Sequence, residues 1–344
     1  MKCLQMRKEE YLQSKIKPFN PKSVNTVEEA LVNLQSCSFQ GRNLGRALEV
    51  LTNMVNTPNC FKVLTLAGAM IPAGMEEVIN QAIEYKIIDA IVTTGANLIH
   101  SIVNVFDPDQ AHQGHFIGSE KVNDPDLFKH RINRIYDTFL PEDNYAKAEK
   151  GLLKLIQKFY KPNEIYTQTP SEFLRILGEN LPGRCFISLA AKYNVPIFCG
   201  ALSDSELGLN LVKYRKRNDI QIIIDELGDI PIFADYISKY NQAGSIILGG
   251  GVPRNWAQQI FPYLDQMHQS NDARIYDGYN FSVRFHTAVQ YDGGLSGCTI
   301  SESISWGKYA VNAKHQSVWV DSTIGFPLVI TALIQRINRL KINL

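Results

Sequence analysis

Short apolar runs recur along this chain, and each gives way to small residues before a helical pattern begins. Val63-Leu-Thr-Leu runs into Ala67-Gly68-Ala69, and Ile87-Ile-Asp-Ala-Ile-Val into Thr93-Thr94-Gly95. Further on stand Val195-Pro-Ile-Phe-Cys, Ile220-Gln-Ile-Ile-Ile-Asp and Ser245-Ile-Ile-Leu, the last closing on Gly249-Gly250-Gly251. Such runs suit strands buried on both faces, and strands of that kind belong to parallel sheets covered by helices. Helical spacing fills the gaps, for example over 75–85 and 232–240. The expectation is an α/β fold, doubly wound, with a mostly parallel sheet and helices on both faces.

Residues 1–25 are polar, carry two prolines and read as an arm. Thr26 is placed to cap a helix, with Glu29 completing a capping box, and a second helix fits 44–55. Together they form a helical N-terminal extension. The stretch 105–180 is more polar, with helical spacing over 121–136 and 145–160, and reads as an insertion or helical cap. No Gly/Ser-rich linker divides the chain, so 26–344 is expected to be one domain. Lys plus Arg number 35 and Asp plus Glu 34. That balance gives no electrostatic footprint for nucleic acid or an anionic membrane. The six cysteines form no CxxC pair, which favours a reduced, cytoplasmic protein. The N-terminus lacks the apolar core of a secretory signal. No apolar run reaches the ~18 residues of a membrane helix, and 326–334 reads as part of a buried helix. The histidines, His112 and His115 included, show no metal-ligand spacing.

Ligands of open α/β sheets bind at the carboxyl ends of strands, and three strand ends stand out. Gly249-Gly250-Gly251 precedes a helix that has Pro253 near its start, an arrangement that admits a phosphate or dinucleotide. Arg254 stands where a GxGxxG motif needs glycine, and a tight strand–helix turn accounts for the glycines equally well. Thr93-Thr94-Gly95 offers small hydroxyl residues for a cofactor, although capping of the next helix explains them too. His100, a few residues on, reads as an ordinary satisfied histidine. The third is 287–321, which holds Trp306-Gly307-Lys308. A lysine partly desolvated beside an indole would have a depressed pKa and could attack an imine or carbonyl. An exposed lysine on a polar turn is the plainer alternative.

Taken together, seven segments resemble the deoxyhypusine synthase family, in that family's order and over about 270 residues: LTLAGAMIPAGM, IVTTGANLIH, IFCGALSDSELG, SIILGGGVP, TAVQYDGGLSG, SESISWGK and VDSTIGFPLV. The resemblance implies a Rossmann-like NAD-binding fold and a redox-neutral amine transfer. NAD takes hydride from the carbon beside a secondary amine of spermidine. The imine that results is split, its aminobutyl part passes to a lysine and then to an acceptor amine, and the hydride is returned. Lys308 matches the imine-forming lysine. Glu302 and Trp306 match residues that line the amine pocket. Thr93, Thr94, Gly95, Asp204, Gly250, Gly251, Thr287, Ala288 and Asp321 match positions around NAD, with Asp204 and Asp321 suited to ribose hydroxyls. Family members are usually homotetramers with sites between subunits. No metal is implied.

The sequence departs from the family where the amine would bind. Leu209 and Leu295 stand in place of carboxylates, and Asn255-Trp256 in place of a histidine pair. Gly68-Ala69 resembles the prokaryotic branch. These departures put an ordinary spermidine pose in doubt, because a buried ammonium without its counter-charge costs on the order of 3–5 kcal/mol. The resemblance therefore leaves four readings open. One is protein modification, with the lysine of the hypusine-bearing translation factor as acceptor. Another is a homospermidine-synthase-like enzyme with a small acceptor such as putrescine. The others are an inactive member that binds NAD or a partner, and an ordinary NAD oxidoreductase.

Overall fold

The computed structural model describes residues 8–106, 114–217, 220–268, 276–291 and 293–342. Its centre is a parallel sheet of six strands. In spatial order these are Tyr309–Trp319, Tyr279–His286, Gln242–Leu248, Cys60–Leu66, Ala90–Thr93 and Ile197–Phe198. Every neighbouring pair runs parallel. Alternation along the Cys60–Leu66 strand shows why both faces must be covered. Cys60, Leu64 and Leu66 join one apolar cluster, with the N-terminal helices and the C-terminal helix Ser322–Leu340. Phe61 and Val63 join the other, beneath the helices Asp229–Ile237, Gly251–Gln258 and Ile260–His268. The doubly wound α/β expectation is met.

Strand order reverses at one place. From the Cys60–Leu66 strand the sheet grows one way through Ala90–Thr93 and Ile197–Phe198. It then resumes on the other side with Gln242–Leu248 and the two later strands. Loops that leave the two central strands part at their carboxyl ends, and a crevice is left between them.

Thr26 does cap the helix Val27–Leu34: its hydroxyl accepts from Glu29 N–H at 3.1 Å, and the Glu29 carboxylate accepts from Thr26 N–H at 3.2 Å. This helix and Phe39–Asn56 are tied to the C-terminal helix by buried charge. Arg336 donates to Glu28 at 2.8 Å and to Glu49 at 2.7 Å.

Two expectations need correction, and two strands of the main sheet are new. Residues 121–136 are not one helix. A short helix, Asp124–Lys129, is broken by Arg131, whose φ is 57°. The chain then forms Ile132–Ile135, one strand of a small antiparallel sheet with Thr138–Pro141 and Phe116–Ile117. The apolar run after Ile220 forms the strand Gln221–Ile224, which pairs with Ile165–Gln168 in a separate two-stranded sheet. The strands Tyr279–His286 and Tyr309–Trp319 were not anticipated, because buried polar residues interrupt the first and exposed or half-buried polar residues fill the middle of the second.

Arg336→Met removes the buried partner of Glu28 and leaves that carboxylate with Arg339 alone. It should cost up to about 3 kcal/mol, less than the loss of a buried charge's sole partner, read as a lowered urea midpoint with an unchanged slope.

Candidate active site

The crevice is lined by residues that lie just past the strand ends. Ala67 N–H donates to Leu248 across the central pair at 3.1 Å, and Gly249 N–H donates to Phe285 on the other neighbouring strand at 2.8 Å. Gly249 and Gly251 have φ of 74° and 59°, a left-handed backbone that glycine adopts without strain. A side chain on Gly250 would meet Ser296, its Cβ lying 2.7 Å from Ser296 Oγ, whereas nothing lies within 4 Å of a Cβ on Gly251. The turn is thus bare backbone facing open space, at the N-terminus of the helix Gly251–Gln258. Gly250, Gly251, Thr287, Ala288 and Asp321 line one cavity of about 620 Å³. It shares Ala69, Met70, Tyr136 and Asp321 with a second cavity of about 640 Å³. Asp321 caps the C-terminal helix by accepting from Thr323 through Oδ1, which leaves Oδ2 for a ligand hydroxyl. A bare anion-accepting turn with a carboxylate opposite it fits a dinucleotide.

Other predicted residues stand elsewhere. Thr93 and Thr94 both accept from Asn97 Nδ2 at 3.4 Å, and Asn97 in turn donates to Gly68 O and accepts from Ile71 N–H. They hold the 68–71 turn from behind. A side chain on Gly95 would collide with Ser205, so this glycine allows two helices to approach. Asp204 lies exposed past the Ile197–Phe198 strand and does not line either cavity of the crevice.

Lys308 is half-buried. Its Nζ donates to Asn255 Oδ1 at 2.9 Å and sits 5.7 Å from the Trp306 ring centre. Burial, with a smaller contribution from Arg254, holds its pKa below the ordinary lysine value, while Cys298 and Glu302 oppose them. The acceptor from Asn255 is a neutral carbonyl, so it orients the amine and favours the ammonium form less than a carboxylate would. Asn255 lies one helical turn beyond Gly251, which links the lysine to the glycine turn. Glu302, within the short helix Ile300–Ser305, and Trp306, which caps its C-terminus, are both exposed. Leu209 is also exposed. Trp256 stacks on Phe198 with ring centres 5.5 Å apart. His112 lies outside the described residues, and nothing is described of the Leu295 side chain.

The sequence reading missed a polar network in one wall of the larger cavity. Tyr145 OH donates to His100 Nε2 at 3.5 Å, and His100 Nδ1 meets His115 Nε2 at 2.9 Å. His115 Nδ1 meets Asn104 Oδ1 at 2.8 Å, and Asn104 Nδ2 donates to Glu76 at 3.0 Å. The amide at one end and the phenol at the other fix both tautomers, so each neutral ring donates through Nδ1 and accepts through Nε2. Two residues of one helix, His100 and Asn104, and others far away in the sequence give no local motif for such a chain.

The deoxyhypusine synthase family model matches residues 29–333. The chain belongs to the deoxyhypusine synthase family. Membership makes it a transferase of the aminobutyl-transferring type. "Probable deoxyhypusine synthase 2" of Methanosarcina acetivorans is 34% identical over 321 residues, covering 92% of this chain and 89% of the relative. "Probable deoxyhypusine synthase 1" of Archaeoglobus fulgidus is 35% identical over 90% of this chain and 94% of its own length. A "Deoxyhypusine synthase-like protein" of Chlorobaculum tepidum is 30% identical over 94% and 90%. A crystal structure from Entamoeba histolytica, described as a deoxyhypusine synthase, shares the fold with a TM-score of 0.63. It is 19% identical, and the match covers 93% of this chain and 97% of that one. Among the described residues no helix is long and apolar enough to cross a membrane.

Burial pushes the His100 pKa from 6.5 down to about 3. The native ring stays neutral while the unfolded one takes a proton below pH 6.5, so stability is full above that pH and falls on acidification towards 3. The loss between pH 6.5 and 5 should reach up to about 2 kcal/mol. Urea unfolding at the two pH values reads it, and His100→Gln should flatten that part of the slope.

Proposed function

We propose that the protein is an NAD-dependent transferase that moves an aminobutyl-type group from a polyamine to an acceptor amine through an imine on Lys308. The observation that carries this reading is the setting of the lysine: half-buried, held by the neutral Asn255 carbonyl, and kept below its ordinary pKa. NAD, when bound, takes hydride from the carbon beside the donor's secondary nitrogen and returns it at the end. Gly250, Gly251, Thr287, Ala288 and Asp321 would hold it, with Thr93, Thr94 and Gly95 shaping the wall behind. Neutral Lys308 forms a C=N bond to the oxidised carbon. The C–N bond to the rest of the donor breaks, and that amine leaves with the electron pair and a proton. The acceptor amine then displaces Lys308 from the same carbon, which frees the lysine for another cycle. The indole face of Trp306 and the carboxylate of Glu302 receive the ammonium end of the transferred group.

Trp306 and Leu209 are 65% and 52% exposed, which suits a pocket completed by another subunit of a homotetramer, and Asp204 would act there. A cytoplasmic protein fits the reading. Leu209, in place of a family carboxylate, favours a substrate with fewer ammonium groups than spermidine.

The test is to incubate the protein with NAD and a panel of amines, reduce with borohydride and map adducts by mass spectrometry. An adduct on Lys308 is expected, absent in Lys308→Arg, with almost no NADH accumulating when an acceptor is present. NAD binding without an adduct from any amine would overturn the reading in favour of a binding protein. Steady NADH production would favour an ordinary oxidoreductase.

A further inference from the structure

A separate cavity of about 270 Å³ opens beside the crevice and shares His286 with it. Arg284 lies against it, 1% exposed. Three of its five N–H bonds go to the main-chain oxygens of Gly249, Ser296 and Cys298. No carboxylate lines the cavity among the described residues. Carbonyl dipoles lower the cost of burying a guanidinium, but they leave its net charge in place. Burial and the equally buried Arg254 push Arg284 down to about 10, as expected where positive charge is in excess. His286, 4% exposed, has no hydrogen-bond partner of good geometry at either ring nitrogen. An unsatisfied buried polar group is costly, so a ligand that supplied its partner would be stabilised.

Together these features describe a site for an oxyanion, and the charge count selects its kind. Burial pushes His286 down to about 4 and lowers His315 from its ordinary value. Arg284 is then the one full cation among the lining residues, which matches a carboxylate and not a phosphate dianion. Ser301 also lines the cavity, and the next residue is Glu302. A molecule whose carboxylate is seated here is therefore close to the residues assigned to the amine. The geometry points to a carboxylate subsite, and hence to an amino-carboxylic acid as one of the amines this protein handles. The inference rests on the amine-transfer reading and narrows its substrate class.

Ornithine and putrescine make a matched pair of probes, because they share a diamine skeleton and differ by one carboxylate. In calorimetric titrations of the full chain with NAD present, ornithine should bind at least tenfold more tightly than putrescine. Arg284→Met should bring the two within twofold by weakening ornithine alone. Because Arg284 also ties the 296–298 loop, a Gln290→Leu, Gln316→Leu double variant gives a milder check. It should cut the preference at least threefold with Tm unchanged. Equal binding of the two probes by the unaltered protein, or a preference that survives both variants, overturns the subsite. The lysine chemistry is judged apart from it: a spermidine adduct on Lys308 without an ornithine preference sinks the subsite only. A preference without any adduct supports the subsite and sinks the lysine reading.

Discussion

The crevice depends on the reversal of strand order at the central pair. The ladder between those strands ends at Leu66 and Leu248, with one last bond from Ala67 N–H to Leu248. Strands added after Cys60–Leu66 lie on one side, and those added after Gln242–Leu248 on the other. Each connecting loop is pulled towards its own side, so no backbone crosses the gap. The residues at the opening are then those just past the strand ends, which is why Gly250, Thr287 and Asp321 meet although 71 positions separate the first from the last.

Desolvation governs the charges around this crevice. Arg254 and Arg284 are buried beneath the glycine turn and donate to main-chain oxygens of the 296–298 loop. They fix that loop against the turn at the cost of a positive field. The same field acts on Lys308, where Arg254 and burial together disfavour the ammonium form. A carboxylate in the position of Asn255 would pull the other way, since opposite charge favours the protonated amine. A neutral amide keeps the direction of the hydrogen bond with a weaker pull towards the ammonium form. Structural support for the loop and activation of the lysine thus share one electrostatic source.

Legibility in the sequence followed periodicity and failed where function interrupts it. Val63-Leu-Thr-Leu and Ser245-Ile-Ile-Leu read as buried strands because nothing in them serves a ligand. Tyr279–His286 is as central and as buried, but Arg284 and His286 break its apolar run, and both face cavities. The run after Ile220 has the apolar character of a core strand and lies outside the main sheet, because periodicity reports burial and not the identity of a partner. Within the site, the glycine turn and the Trp306–Lys308 triplet were visible as local motifs. The network from Tyr145 to Glu76 was not, since its members span three helices and the segment before Phe116. The two threonines at 93 and 94 were visible as residues, but the fold gives them to Asn97 and the 68–71 turn, one step removed from the cavity.

The small antiparallel sheet is explained by where its hairpin ends. Ile135 and Thr138 pair directly, so the turn between them is two residues, Tyr136 and Asp137. A turn that tight needs positive φ, and Tyr136 adopts 54° where glycine or asparagine would be easier. A left-handed backbone costs a residue with a Cβ roughly 1–2 kcal/mol. The conformation is held by Arg134, which donates to the Tyr136 carbonyl at 3.1 Å and is itself fixed by two hydrogen bonds to Asp124. What the strained position provides is a large aromatic side chain that lines both cavities of the crevice at once. Glycine would satisfy the turn and leave that wall open. The insertion that helical periodicity misread is therefore the part of the chain that closes the crevice on the side the main sheet cannot reach.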